Sequence, residues 1–331
     1  MSAKRGNKPF EGEDLPRRDG GKSGGAMISR RHFLGALATV GGTALIGSSR
    51  DVRARELEGW PNSYGLLTDL TLCVGCRSCE KACNEENGLP RPDMPFDSKG
   101  VFSEQRRPTA SAYTVVNRFP DPRKKGEFIY RKVQCNHCNE PACFSACPLH
   151  AYTKTKEGAV LYDPDKCFGC RYCMVACPFY VPAYDYESAL EPKIVKCTMC
   201  HHRISKGRPT ACAEACPTGA VTFGRRKDLI ALGREKIMKH PDRYVHHIFG
   251  EHEFGGTSWM YIGGVPFENL GFPKYTQKDP LVENTKGFLS AVPLVLTIWP
   301  ALLGLCYAAT RNKEEERGGK PGGHGEEDKH E

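Results

Sequence analysis

The sequence predicts an α+β fold of duplicated cysteine-rich modules with loop insertions, followed by one C-terminal transmembrane helix. Three observations predict it. Sixteen of the 17 cysteines fall into four quartets with recurring spacing. Short β-rich runs flank the quartets, at Tyr64–Leu67, Phe128–Val133, Val160–Tyr162, Ile194–Val195 and Val221–Phe223. A run of 24 uncharged residues stands near the C-terminus. Composition agrees with this reading. A chain of 331 residues has room for one or two domains. The 35 glycines and 24 prolines favour loops over long regular elements. The net charge of +8 is spread: residues 1–54 carry ten Lys/Arg against five Asp/Glu, residues 311–331 five against seven, and the rest 32 against 27. That mild balance argues against nucleic acid as a partner. So many cysteines exclude an ordinary cytosolic hydrolase or kinase and leave a disulfide scaffold, a zinc protein or an iron–sulfur protein.

The elements follow in chain order. Residues 1–28 are polar, charged and Gly-rich without apolar period, and are expected to be a disordered leader. Within them Gly20-Gly21-Lys22-Ser23 imitates the end of a phosphate loop, but Pro16 replaces the first glycine and no strand precedes it. Residues 29–54 open with Ser29-Arg30-Arg31-His32-Phe33-Leu34 and continue uncharged to Ser49. Paired arginines before a mildly apolar segment read as a twin-arginine export signal, with Val52-Arg53-Ala54 a candidate cleavage site. Met27 is a candidate start of translation just before the motif.

The quartets occupy residues 55–226. The first is Cys73, Cys76, Cys79, Cys83, then Asn84. The second is Cys135, Cys138, Cys143, Cys147, then Pro148. The third is Cys167, Cys170, Cys173, Cys177, then Pro178. The fourth is Cys197, Cys200, Cys212, Cys216, then Pro217. The first and third have the bacterial ferredoxin spacing C-x2-C-x2-C-x3-C, and the third has the proline too. Three thiolates in one tight loop hold three irons of a cubane, and the fourth cysteine reaches the other cluster of a pair. Short helices are expected to begin near the last cysteine of each run. Zinc ordinarily takes two C-x-x-C pairs rather than triplets followed by C-x3-C-P. Cysteines this closely spaced also have poor geometry for disulfides. Cys197-Thr198-Met199-Cys200-His201 is literally a haem-attachment string, but haem there strands Cys212 and Cys216. The pattern therefore reads as duplicated bacterial-type 2[4Fe–4S] ferredoxin modules, with insertions at 84–134 and 201–211.

Gly224 is expected to end the last strand, and Arg225-Arg226 to lead into a helix with apolar Leu229, Ile230, Leu232, Ile237 and Met238, ending before Pro241. Residues 227–286 read as a C-terminal extension and interface region, in which His246, His247 and His252 read as surface or interface residues. Residues 287–310 are the uncharged run. As a helix they span about 36 Å, enough for a hydrocarbon core of about 30 Å. Pro293 and Pro300 are expected to kink it, and Cys306 within it reads as an inert apolar residue. Five Lys/Arg follow the run, which places the polar tail 311–331 in the cytoplasm. The export signal places everything before it outside. The expected location is the periplasmic face of the cytoplasmic membrane.

Four quartets in this order, with gaps of 2-2-3, 2-4-3, 2-2-3 and 2-11-3, resemble the four-cluster electron-transfer subunits of membrane oxidoreductases. The resemblance covers roughly residues 60–310. It is nearest the iron–sulfur subunit of uptake nickel–iron hydrogenases (the HybA type), on the twin-arginine signal, the segment Gly263-Gly264-Val265-Pro266-Phe267-Glu268-Asn269-Leu270 and the C-terminal anchor. The resemblance implies four [4Fe–4S] clusters with exchanged ligands. Cys73, Cys76 and Cys79 share a cluster with Cys216, and Cys197, Cys200 and Cys212 share one with Cys83. Cys135, Cys138 and Cys143 pair with Cys177, and Cys167, Cys170 and Cys173 with Cys147.

The chain shows no substrate pocket signature, nickel-binding cysteine pair, pterin or flavin motif, or nucleotide fingerprint. The expected function is that of a non-catalytic subunit, relaying electrons from a periplasmic nickel–iron hydrogenase to an integral membrane quinone-reactive subunit. The implied partners are the hydrogenase small and large subunits and the membrane. The alternatives are the beta subunit of a formate dehydrogenase or other molybdopterin oxidoreductase, and a partner-independent membrane-anchored polyferredoxin.

Overall fold

A computed structural model describes residues 62–186 and 193–317. The leader, the twin-arginine segment 29–54 and the tail from 318 lie outside the described residues. The elements in chain order are β1 (Tyr64–Asp69), α1 (Ser78–Glu86), β2 (Val115–Pro120), β3 (Phe128–Val133), α2 (Ala142–Ser145), β4 (Tyr152–Lys154), β5 (Val160–Tyr162), α3 (Tyr172–Ala176), β6 (Ala183–Tyr184), β7 (Ile194–Val195), α4 (His201–Ile204), α5 (Ala211–Glu214), β8 (Val221–Arg225), α6 (Arg226–Lys239), β9 (Trp259–Ile262) and α7 (Glu283–Arg317).

The central sheet has the order β8-β1-β9. β1 runs antiparallel to β8, with Leu66 opposite Phe223, and parallel to β9, with Leu66 opposite Trp259. Side chains alternate across it, as the period of two in a strand requires. Leu66, Trp259 and Tyr261 point into one apolar cluster, together with Phe249, Phe267, Leu270 and Phe272. Leu67, Met260 and Ile262 point the other way, onto Leu229 and Ile237 of α6. The sheet is thus covered on both faces. The antiparallel pairs β2-β3, β4-β5 and β6-β7 supply the rest of the strand structure.

Three expectations need correction. The helices do not open at the fourth cysteine. Each carries the third, and α2, α3 and α5 stop before the fourth. In those three, the fourth cysteine is followed by proline and then a tight turn. The turn closes through His150 N–H to Cys147 O, Tyr180 N–H to Cys177 O and Gly219 N–H to Cys216 O. Asn84 has a backbone N–H and no ring, so α1 runs past Cys83 to Glu86 instead. Second, Gly224 lies within β8, paired with Gly65, and the strand continues to Arg225. Third, residues 227–286 contribute β9, and all four of its side chains are fully buried. The insertion 84–134 forms the β2-β3 hairpin. It is tied to α1 by the buried Glu80 carboxylate, which pairs with Arg77 at 2.9 Å and Arg106 at 2.6 Å.

α7 begins before and ends after the uncharged run. It contains both prolines, and most of its described apolar side chains are exposed. The stretch Glu283–Ala308, with mean hydropathy 2.0, is long and apolar enough to cross a membrane.

Candidate metal centres

Every quartet opens with the same local device. The residue two after the first cysteine has left-handed backbone: Gly75 (φ 70°), His137 (φ 48°), Gly169 (φ 80°) and Met199 (φ 58°). That turn aims its N–H back at the first sulfur. His137 N–H reaches Cys135 Sγ at 3.5 Å, and Gly169 and Met199 reach Cys167 and Cys197 at 3.3 Å. Gly75 does the same for Cys73. At Gly75 even a methyl group would stand 2.4 Å from the Tyr130 ring, so only glycine fits. Non-glycine residues avoid this conformation because it is strained. Its fourfold recurrence shows what the loops are shaped for: oriented N–H dipoles around sulfur.

The helices then distribute the remaining thiols. Cys79 and Cys83 are four residues apart on α1, hence on one face. Cys212 on α5 and Cys216 just beyond it repeat that spacing, and α1 packs against α5. Cys143 and Cys147, and Cys173 and Cys177, stand likewise around α2 and α3, which also pack together. The consequence is mixing between quartets. Cys73, Cys76, Cys79 and Cys216 line one cavity. Cys83, Cys197, Cys200 and Cys212 line a second. The thiols that act electrostatically on Cys138 are Cys177, Cys135 and Cys143. Cys147, Cys167, Cys170 and Cys173 line a further cavity.

The four sets form a row. Lys132 lines both of the first two cavities. Cys197 of the second set stands near Cys135 of the third, and Lys196 donates to Cys197 O at 3.2 Å while facing Cys143 and Cys177. Cys143 of the third set and Cys173 of the fourth share one apolar cluster with Tyr152. At the ends of the row Cys76 and Cys170 are exposed, whereas all four thiols of the second set are buried.

The donor set fits iron–sulfur clusters. Among the described residues no three His, Cys, Asp or Glu side chains converge closely enough to hold a single metal ion. Instead, groups of four thiols surround small cavities, as a multi-iron group requires. Burial pushes the thiols of Cys73, Cys177 and Cys200 up to about 11 and Cys83 up to about 12, and also raises Cys79, Cys138, Cys143, Cys173 and Cys197. These thiols keep their protons at neutral pH until a metal displaces them. Two of the histidines in the C-terminal extension are paired with carboxylates instead. His247 pairs with Glu253 at 2.5 Å and His252 with Glu251 at 3.5 Å.

The profile of the 4Fe-4S dicluster domain matches residues 127–226, which hold the second, third and fourth quartets. A protein of Nitratidesulfovibrio vulgaris is 48% identical over 291 residues, covering 87% of this chain and 78% of its own. The hydrogenase-2 operon protein HybA of Escherichia coli O157:H7 is 35% identical over 278 residues, 75% of this chain and 84% of its own. The chain is a HybA-type iron–sulfur electron-transfer subunit. The nitrate-inducible formate dehydrogenase iron–sulfur subunit of Escherichia coli K12 is similar too, 34% identical over 231 residues, 67% of this chain and 76% of its own. The cofactors of this HybA-type subunit are [4Fe–4S] clusters, and sixteen cysteines in quartets are consistent with four of them.

Two features of the site escape the sequence reading. One is the repeated left-handed residue, which glycine signals at 75 and 169 but His137 and Met199 conceal. The other is the buried lysines, Lys132, Lys154 and Lys196, which in sequence look like ordinary surface residues.

Proposed function

We propose that this chain is a four-site electron relay between a periplasmic nickel–iron hydrogenase and a quinone-reactive membrane subunit. Each site is formed by three cysteines of one quartet and the last cysteine of another, in the sets that surround the cavities. A [4Fe–4S] cluster bound there would accept and release one electron at a time. The chain itself fixes the thiols, donates N–H groups to sulfur and excludes water from the middle of the row. The observation that carries this reading is the row itself, with the second set wholly buried and the ends reaching the surface at Cys76 and Cys170. A relay needs both an entry and an exit, whereas a redox store can charge and discharge through one exposed site. Residues 29–54 direct export, and Glu283–Ala308 anchors the domain with its tail in the cytoplasm.

The test is to purify the tagged full chain from detergent-solubilised membranes with its partners. Hydrogen is expected to reduce the iron–sulfur signal, and formate is not. Reduction by formate alone assigns the chain to a molybdopterin enzyme. Isolation without any catalytic subunit would support a self-standing polyferredoxin.

A further inference from the structure

Lys132 lies on β3, and its side chain lines both the Cys73–Cys216 and the Cys83–Cys212 cavities. It is 2% exposed. The ammonium donates to Gln134 Oε1 at 3.2 Å and lies 4.4 Å from the centre of the Trp259 ring. Gln134 is itself oriented by its bond to Tyr261 Oη at 2.6 Å. Among the described residues no carboxylate pairs with Lys132. The other buried lysines are better satisfied by oxygen. Lys154 donates to His137 O, Gly158 O and Ser258 Oγ, and Lys196 to Val160 O and Cys197 O.

An ammonium has three N–H donors and no counter-ion here except what the two cavities hold. Burying an uncompensated charge is costly, so its partner must be sought there. The ionisable groups that raise its proton affinity come from both sides: Cys212, Cys197 and Cys83 of the second set, and Cys79 of the first. The clusters proposed for those sites bear net negative charge through their thiolates, and each becomes more negative on reduction. A fixed cation beside a site therefore favours its reduced form.

We propose that Lys132 is a shared counter-charge that raises the reduction potentials of the two redox sites on either side of it. The inference rests on the cluster reading above. It predicts a paired effect, because one charge serves two sites, and a local one, because the Cys147–Cys173 cavity is not lined by it.

The test is a redox titration of the purified full-length holoprotein, followed by electron paramagnetic resonance, with signals assigned through single cysteine variants. In Lys132→Met the two flanking sites are expected to shift together to more negative potential, while the Cys147–Cys173 site stays in place. Lys132→Arg keeps the charge and is expected to titrate like the parent. If Lys132→Met loses iron, Gln134→Glu gives the same answer with the lysine retained. A carboxylate against the ammonium should lower the same two potentials. Unmoved potentials in iron-replete Lys132→Met, or in Gln134→Glu, overturn the proposal. So does an equal shift at all four sites. A parent protein without iron would instead refute the cluster reading, and iron analysis of that parent distinguishes the two failures.

Discussion

The first two thiol sets and the second two solve one ligand problem with different surroundings. Both pairs use short helices that carry a third cysteine, with the fourth four residues on, and both pack two such helices together. The first pair draws its walls from distant parts of the chain: Cys73 to Cys83, Lys132, Cys197 to Val221 and Trp259. It rests on the central sheet and encloses a cation. The second pair comes from one continuous stretch, 135 to 196, with hairpins for support. Where Lys132 stands between the first two sets, the second two meet at the buried ring of Tyr152, beside Cys143 of one set and Cys173 of the other, and the buried Lys196 faces the third set. Ligand geometry is therefore repeated, while the placement of charge between the two sites of a pair is not. Loops and helices position sulfur, and the residues between sites differentiate them.

The comparison can be broken most severely at Trp259. Its ring lines the second cavity, is fully buried, and donates Nε1–H to Thr68 Oγ1 at 2.8 Å. Trp259→Ala is expected to cost about 3–5 kcal/mol in thermal or denaturant unfolding. The first pair's resonance signals should weaken before those of the second. Equal loss in both pairs would mean that they do not fold as separable units. Gly75→Ala should cost less, about 1–3 kcal/mol, through strain and the Tyr130 contact. It should perturb the Cys73–Cys216 site alone.

Exposure sharpens the comparison further. A chelator should strip the two end sites first, Cys73–Cys216 and Cys147–Cys173, because Cys76 and Cys170 are exposed and most of their other thiols are half-buried. The Cys83–Cys212 site should lose its iron last. Iron analysis with signal loss over time checks the order. The smallest effect concerns His247 and Glu253, beside the central sheet. The hydrogen bond to Glu253 raises the His247 imidazole above its usual value. That stabilisation is complete below the ordinary histidine range and is lost as pH rises through the raised value. Glu253 is buried, but its bond to His247 and backbone N–H groups hold it below the usual carboxylate range, so its contribution persists until strong acid. The Gly250 amide donates to Glu253 at 2.6 Å. Its hydrogen-exchange protection should fall modestly between mildly acidic and alkaline pH.

Much of this was legible in the sequence because cysteine chemistry demands particular spacings. Val160–Tyr162 and Ile194–Val195 appear as strands with the expected bounds, and α6 covers the expected residues to Lys239. β9 was not anticipated, since Trp-Met-Tyr-Ile is too short to show a period and its partner lies nearly 200 residues earlier. The helix starts were misplaced by one cysteine: each helix carries the third cysteine, and where proline follows the fourth, the helix has already stopped before that cysteine. Lys132 was invisible: a charged residue in a strand declares its burial only when the strands around it are assembled.

The central claim is that thiols of separate quartets serve one site. It is tested most directly by electron paramagnetic resonance of reduced Cys83→Ala, Cys200→Ala and Cys76→Ala holoproteins. The account predicts that Cys83→Ala and Cys200→Ala lose the same signal, although the residues are more than a hundred positions apart. Cys76→Ala should lose a different one. Loss of one shared signal in Cys83→Ala and Cys76→Ala, with that of Cys200→Ala distinct, would contradict it.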